Sequence, residues 1–185
     1  CLNNTTYKYA PMEKEALTIV KEYMPNLVIS DIMMPEMRGD ELCHILKNDI
    51  ETSHIPIILL TELNTDKNII EGLQSGADEY IVKPFNIGIL RANIANLLTN
   101  RALLRHKYAS LDLTTEEQYG LHQLLNDLDW KFIATVKKSV EDNMDNPSFN
   151  VDVLCNLLNM SRTSFYNKIK ALTDQAPADY IRLIR

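Results

Sequence analysis

The chain has 185 residues, of which 45% are hydrophobic, and its formal net charge at pH 7 is −6. This length fits one large domain or two small ones, and no stretch approaches the ~20 apolar residues of a membrane-spanning helix. Three scattered cysteines and four separated histidines argue against a disulfide scaffold and a metal site, and they favour a reducing compartment such as the cytoplasm.

Residues 6–99 alternate short apolar strands with helical patterns, which predicts an α/β fold with a doubly wound parallel sheet. Strands are expected at residues 6–10, 26–30, 55–61 and 79–82, and helices at residues 13–24, 39–49, 65–76 and from Asn86 past Asn100. This part of the chain has 8 Lys/Arg against 14 Asp/Glu, so it holds the acidic excess of the whole sequence.

Residues 100–126 lack strand signals and contain the polar stretch "SLDLTTEEQYG", which indicates a helical linker with a hinge. Residues 127–185 are helical in pattern, with a break at Pro147 and two short helices that Asn150 and Ser161 are expected to cap. Two short helices at this spacing are typical of a helix-turn-helix. The last 25 residues hold five basic side chains against two acidic ones, and the contrast with the acidic first part of the chain suggests two separate roles.

Three polar residues follow successive predicted strands: Asp31, Thr61 and Lys83. Because the carboxyl ends of parallel strands meet at one edge of a sheet, these side chains should face one crevice. A nucleophilic carboxylate, a hydroxyl and a cation together suit a phosphoryl-accepting site. Each residue alone has a plainer explanation, since an Asp at a strand end is more often a turn or cap residue. The bond from Lys83 to Pro84 could be cis.

The segments "PNLVISDIMMPEMRGDEL", "HIPIILLTE" and "SGADEYIVKPF", in this order and spacing, resemble the receiver domain of response regulators. The resemblance covers most of residues 6–99 and implies a flavodoxin-like sheet. It implies that Asp31 accepts a phosphoryl group from a histidine kinase, that Lys83 pairs with the phosphoryl oxygens and that Thr61 moves toward them on activation. Tyr80 occupies the aromatic switch position of the family, although a strand aromatic at the surface is an alternative.

The resemblance also implies Mg²⁺, held by Asp31, by the backbone carbonyl of Met33 and by an acidic pair after the first strand of the family. We expect that pair and that strand to lie before Cys1, outside this sequence; the strand is central in the family's strand order 2-1-3-4-5. We therefore expect an N-terminally truncated receiver that binds Mg²⁺ weakly and is phosphorylated inefficiently. Glu62 stands where the family usually has a small residue. Met33 and Leu63 replace residues that orient the hydrolytic water, which predicts a long-lived phosphoaspartate.

The segment "NVDVLCNLLNMSRTSFYNKIKALTDQAPADYIRLIR" resembles the first helix-turn-helix of AraC-type DNA-binding domains. The resemblance implies a recognition helix from Ser161 to Leu172 in the DNA major groove and a second helix-turn-helix beyond this sequence. By family position, base edges are contacted by Thr163, Tyr166 and Asn167, and phosphates by Arg162, Lys168 and Lys170. Asp174 replaces the glycine that usually ends this helix.

Together these features resemble the C-terminal part of bacterial hybrid two-component regulators. The expected organisation is a partial receiver at residues 1–99, a linker at 100–126 and a DNA-binding domain at 127–185. The segment itself is not expected to be an enzyme. The expected partners are a histidine kinase, DNA and a second copy of the receiver, without direct membrane contact, even if a parent chain is anchored in the inner membrane.

Two alternatives remain from the sequence. One is a pseudo-receiver that dimerises without phosphorylation, which Glu62 favours. The other is an aspartate-nucleophile hydrolase, a class that places a second Asp where this sequence has Met33.

Overall fold

The computed structural model describes residues 6, 8–10, 13–62, 75–109 and 126–185. These residues form two compact units. The first unit comprises the described residues of 1–46 and 55–93, and the second comprises those of 47–54 and 94–185.

The first unit is built on a three-stranded parallel sheet in the order β1 (Val28–Asp31), β2 (Ile57–Thr61) and β3 (Glu79–Val82). The register pairs Asp31 with Leu60 and Thr61 with Val82. The three strands therefore end at the same edge, as the sequence predicts for a parallel α/β sheet.

The central strand β2 is a run of apolar residues because both of its faces are covered. Ile57, Ile58 and Leu59 are at most 1% exposed. Helices α1 (Glu13–Tyr23) and α2 (Gly39–Asn48) contribute to a core that contains Val20, Ile32, Leu42, Cys43, Leu46, Ile55, Ile57 and Leu59. The α/β pattern read from the sequence is thus confirmed for this unit.

The strand predicted at residues 6–10 is wrong for the residues that can be compared, since Thr6 and residues 8–10 are not in a strand. A strand requires a neighbouring ladder of backbone hydrogen bonds. Within the described sheet β1 pairs with β2 alone. The predicted helix at residues 65–76 falls mainly within residues 63–74, which lie outside the described residues. Leu63 lies outside them as well.

The second unit contains the C-terminal part of α3 (Ile87–Ala109), and then α4 (Asp127–Glu141), α5 (Val151–Leu157), α6 (Arg162–Thr173) and α7 (Pro177–Ile184). Helix α3 continues through the domain boundary that the sequence suggested after residue 99, and the first unit ends at Asn93. The predicted polar linker lies mostly within residues 110–125, which the structure does not describe.

The predicted helix caps of the second unit are confirmed. The Asn150 side chain accepts hydrogen bonds from the backbone N–H groups of Asp152 and Val153 at 2.9 and 3.2 Å, and Ser161 Oγ accepts one from Ser164 at 3.0 Å. Asp174 ends α6 with φ of 60°, the left-handed conformation that a glycine would adopt without strain.

The core of the second unit joins all four C-terminal helices. Its members are Phe132, Ile133, Val136, Val140, Phe149, Leu154, Cys155, Phe165, Ile169, Leu172, Tyr180, Ile181 and Ile184. The rings of Phe132 and Phe165 meet edge to face with their centroids 5.9 Å apart. Burial raises the pKa of the Tyr180 hydroxyl to about 12. None of the described helices of either unit has the length and apolar character needed to cross a bilayer.

Gly39 is a position where the fold tolerates no side chain. A Cβ at Gly39 would lie 2.1 Å from the backbone oxygen of Asp31 and 2.8 Å from Ser30 Oγ. We expect Gly39→Ala to lower the free energy of unfolding by about 1–3 kcal/mol, because the end of β1 must shift. Urea denaturation measures this change.

Gly88→Ala is the matched control. Its Cβ would meet only the side chain of Asn86, with the Oδ1 atom at 2.9 Å. This exposed side chain, which accepts a hydrogen bond from the Gly88 N–H at 2.6 Å, needs to move only slightly, whereas Gly39 faces backbone. An equal loss of stability in both variants would contradict the prediction.

Candidate functional site

The Asp31 side chain lies at the carboxyl end of β1 and makes two polar contacts. Its Oδ1 atom accepts a hydrogen bond from the backbone N–H of Met33 at 3.1 Å, and its Oδ2 atom accepts one from the ammonium of Lys83. The two side chains are 30% and 27% exposed. The pair therefore lies at the rim of the sheet, within reach of solvent.

The position of Lys83 follows from the parallel pairing of β2 and β3. Its backbone N–H donates to the Thr61 carbonyl at 2.7 Å, and the following bond to Pro84 is cis. The hydrogen bond to Asp31 raises the pKa of the Lys83 ammonium, so Lys83 keeps its positive charge at neutral pH. The predicted meeting of Asp31 and Lys83 at one edge is confirmed.

Thr61 ends β2 at the same edge and is 5% exposed. The next residue, Glu62, has a side chain that is 67% exposed, and its Oε1 atom lies 3.8 Å from Lys83 Nζ. The Lys83 ammonium therefore lies near two carboxylates, those of Asp31 and Glu62. Glu62, which stands where the family usually has a small residue, thus places a negative charge beside the ammonium. The movement of Thr61 on activation stays a prediction.

Tyr80 lies on β3 and packs partly buried against the core of the first unit. Its hydroxyl is 2.8 Å from Ser75 Oγ. Burial raises the pKa of the Tyr80 phenol, and the Ser75 hydrogen bond offsets part of that shift. Tyr80 is thus not a surface aromatic, while its role as a switch stays a prediction.

The described residues do not fit a magnesium site by themselves. Mg²⁺ takes six oxygen ligands in near-octahedral geometry, commonly one or two carboxylates with waters and phosphates. Asp31 and the carbonyl of Met33 are the expected donors, but Lys83 already binds the carboxylate. The part of the chain that the structure describes contains no cluster of three or more acidic, His or Cys residues suited to a metal, and the sequence has no acidic residue before Glu13.

A second candidate site is the surface of α6, the predicted recognition helix. Arg162, Thr163, Tyr166 and Lys170 are exposed, and Asn167 is half-buried. Arg162 Nη1 lies 3.1 Å from Asp152 Oδ1 on α5. Apart from Lys168, the predicted DNA-contacting residues therefore reach solvent from one helix.

The prediction that Lys168 contacts phosphates is wrong for this structure. Lys168 is 0% exposed, and its ammonium lies inside the second unit 2.5 Å from Asp129 Oδ1. Ser53 Oγ is 2.7 Å and His54 Nδ1 is 3.5 Å from the same ammonium. Because a buried ammonium requires partners within the protein, Lys168 is committed to these groups and not to solvent.

Charges in this cluster shift one another's pKa. Burial raises the pKa of the Asp129 carboxyl, but the charge and hydrogen bond of Lys168, together with the Ser53 hydrogen bond and the charge of Arg101, outweigh this and hold the pKa below its usual value. Burial lowers the pKa of Lys168, which Asp129 opposes in part. Burial, followed by the charge of Lys168, lowers the pKa of His54 to about 3. His54 is therefore neutral at pH 7.

Sequence reasoning missed Asp129, Ser53 and His54, although part of the signal was available. Lys168 stands at the i+3 position from Phe165, directly before Ile169, and so falls on the buried stripe of α6. Asp129 likewise falls in phase with Phe132 on α4. A carboxylate on the buried stripe of α4 and an ammonium on the buried stripe of α6 together suggest a buried ion pair.

The fold and the rim site define a class: a parallel α/β module with an aspartate at one strand end, paired to a lysine after another, as in two-component signalling. The chain belongs to the response regulator receiver domain family, whose model matches residues 3–95.

The chain is also similar to individual relatives. Histidine kinase P4 of Formosa agariphila is 43% identical over 172 residues, which are 93% of this chain and 12% of that protein. The DNA-binding response regulator MtrA of Mycobacterium tuberculosis is 45% identical over 71 residues, which are 38% of this chain and 30% of MtrA. The chain thus spans a minor part of the length of these relatives.

Two solved structures are similar to about half of the chain. The receiver domain of a signal transduction histidine kinase from Syntrophus aciditrophicus is 38% identical, with a TM-score of 0.46, and the match covers 48% of this chain and 67% of that one. A response regulator from Chloroflexus aurantiacus is 30% identical, with a TM-score of 0.47 over 49% and 74% of the two chains.

The buried neutral His54 makes the second unit sensitive to acid. The pKa of His54 is about 3 in the folded protein and 6.5 in the unfolded chain. Above pH 6.5 both states are neutral, and as the pH falls from 6.5 toward 3 the unfolded state alone gains the proton. The free energy of unfolding therefore decreases over this range. Between pH 7 and 5 we expect a loss of about 2 kcal/mol in the free energy of unfolding. Urea denaturation followed by the fluorescence of Trp130 measures it.

The variant His54→Gln should remove most of this loss. Asp129, whose folded pKa is lowered, adds its own loss only below its ordinary value of 3.8, so the chosen window isolates the histidine. The exposed His106 on α3 provides the control variant His106→Gln. The prediction fails if His54→Gln and the unaltered protein lose the same stability.

Proposed function

We propose that the chain is the receiver and output segment of a two-component system, in which Asp31 accepts a phosphoryl group from a histidine kinase. The observation that carries the proposal is the Asp31–Lys83 pair at the rim of the sheet. In the transfer, a carboxylate oxygen of Asp31 bonds to phosphorus as the bond from phosphorus to the donor nitrogen breaks. The donor nitrogen keeps the electron pair of the broken bond. With one proton on its other ring nitrogen, the histidine imidazole of the kinase leaves as a neutral group.

Lys83 is the cation available for the charge of the transferred group. Ion pairs near solvent are weak, with measured values of roughly 0–1 kcal/mol, so the ammonium can exchange the carboxylate for a phosphoryl oxygen. The hydroxyl of Thr61 then contacts the phosphoryl group, and Tyr80 moves toward the core with it. The similarity to histidine kinase P4 supports a histidine kinase as the donor.

The proposed output is DNA binding by the second unit. Thr163, Tyr166 and Asn167 would contact base edges in the major groove, and Arg162 and Lys170 would contact phosphates. The exposure of these side chains on α6 supports the proposal, as does the similarity of part of the chain to MtrA, which is named as a DNA-binding response regulator. We further propose that two receivers pair to bring two such helices together.

A pseudo-receiver that acts without phosphorylation is the alternative candidate. The distance of 3.8 Å from Glu62 to Lys83 favours it, because a carboxylate beside the ammonium competes with the phosphoryl group.

Phosphoryl incorporation separates the two candidates. With acetyl phosphate or a phosphorylated kinase domain as donor, we expect slow incorporation that intact-protein mass spectrometry detects and that Asp31→Asn abolishes. Lys83→Gln should slow it by roughly 10²-fold, the usual effect of removing one group that stabilises developing charge.

Glu36→Gln is the control for incorporation, since Glu36 is exposed in the loop after β1 and should leave the rate unchanged. Absence of incorporation after prolonged incubation with the kinase domain would favour the pseudo-receiver. Incorporation that persists in Asp31→Asn would contradict the assignment of the acceptor.

The DNA contact of Lys170 predicts a change in salt dependence. Each phosphate contact adds about 0.9 to the slope of log affinity against log salt concentration, so Lys170→Gln should reduce that slope by about 0.9. Fluorescence anisotropy with a random-sequence duplex at several salt concentrations measures it. The exposed Lys131 on α4 gives a control, Lys131→Gln, with the same change in net charge. Equal slopes for Lys170→Gln and the unaltered protein would contradict the contact.

A further inference from the structure

The buried ammonium of Lys168 is held by groups from two distant parts of the chain. Asp129 precedes it by 39 residues and Ser53 by 115 residues. Ser53 and His54 belong to residues 47–54, here called the turn segment, which packs as part of the second unit. Helix α6 is therefore supported by a segment that is far away in sequence.

The Ser53 hydroxyl has a central position in this cluster. It donates to Asp129 Oδ1 at 2.7 Å and accepts from Lys168 Nζ at 2.7 Å. Ser53 itself is 0% exposed, so water does not reach the hydroxyl in the folded protein. Removing it would leave the lysine and the aspartate each with one partner fewer in a buried place, which costs more than at a surface.

The cations around this cluster outnumber its carboxylate. Arg101 Nη1 lies 3.7 Å from Asp129 Oδ2, an atom with no hydrogen-bond partner among the described residues. Lys47 acts on Lys168, and Arg105 on His54, each through its charge. Because one carboxylate faces several cations, the neutral acceptors Ser53 and His54 matter for holding the Lys168 ammonium.

We propose that Ser53 is a positioning residue for α6, acting through Lys168. The apolar contacts of Phe165 and Ile169 on the same helix are not directional, whereas hydrogen bonds to Lys168 depend on angle and distance. The polar cluster therefore fixes the rotation of α6 about its axis. That rotation sets where Thr163 and Tyr166 point.

The consequence for DNA binding rests on the proposed function. The receiver family match spans residues 3–95 and so includes the turn segment, which nevertheless packs within the second unit. A displacement of the turn segment would change the rotation of α6 about its axis through the contact of Ser53 with Lys168. No change in the identity of the exposed side chains of the helix would be needed.

Hydrogen exchange on the full chain tests the proposal. We expect Ser53→Ala to raise the exchange rates of α6 amides about tenfold, with α7 as the internal reference, since an unsatisfied buried partner weakens the local structure by that order. Ser53→Thr keeps the hydroxyl and should restore the protection. Similar α6 rates in Ser53→Ala and the unaltered protein would overturn the proposal.

A double-variant background separates positioning from packing. Replacing both charges with apolar side chains, in Asp129→Leu with Lys168→Met, removes the cluster without stranding one buried charge. In that background Ser53→Ala should change α6 exchange less than about twofold, as expected for uncoupled sites. A tenfold rise in both backgrounds would overturn the proposal, because Ser53 would then act without Lys168. If the double variant does not fold, equal α6 protection in Ser53→Ala and Ser53→Thr overturns it.

Affinity for a random-sequence duplex at low salt provides the functional readout. Ser53→Ala should weaken binding about tenfold, and Ser53→Thr should restore it. If Ser53→Ala lowers the hydrogen-exchange protection of α6 but leaves the affinity for the duplex unchanged, the proposed role of Ser53 in positioning α6 for DNA binding is overturned. If the unaltered protein binds no duplex, the proposed DNA-binding function fails, while the exchange data still decide whether Ser53 positions α6.

Discussion

Parallel pairing of β1, β2 and β3 in one register is the constraint on which the site of the first unit depends. Asp31 and Lys83 are 52 residues apart in sequence, and their meeting requires that the strands before them end at the same edge. The apolar run of β2 supports this arrangement because a strand buried on both faces has little freedom to slip. The chemistry of the rim is thus a consequence of burial in the sheet, and Gly39 extends that constraint by leaving room for the backbone of Asp31.

In the second unit a buried ion pair restrains the arrangement of the helices, whereas in the first unit strand pairing fixes the arrangement of the site. Its apolar core brings the helices together, but Lys168 and Asp129 lie within that core and have no access to solvent. Replacing such a pair by apolar residues is often neutral or stabilising, whereas removing one member is strongly destabilising. The pair is therefore better understood as a restraint on how α4, α6 and the turn segment fit together than as a source of stability.

The sequence predicts much of this molecule, and its errors have physical causes. Apolar runs located the three strands, and Asn150 and Ser161 located two helix starts, because these signals depend on neighbouring residues alone. The strand predicted at residues 6–10 is wrong at the described positions, Thr6 and residues 8–10, because a strand also needs a partner, which local pattern does not show. The burial of Lys168 could be inferred from its place on the stripe of α6. Its partner Ser53, 115 residues away, could not, since only the fold brings them together.

The two lysine–carboxylate pairs show why burial, more than chemistry, separates their roles. Lys83 and Asp31 are about a quarter to a third exposed, so breaking their contact costs roughly 0–1 kcal/mol and each charge is then hydrated. Lys168 and Asp129 are fully buried, so separating them leaves charges unpaired, at a cost of about 3–5 kcal/mol. The first pair can therefore open to admit a competing anion such as a phosphoryl group. The second stays closed while the unit is folded, which suits it to transmit position and not to bind a ligand.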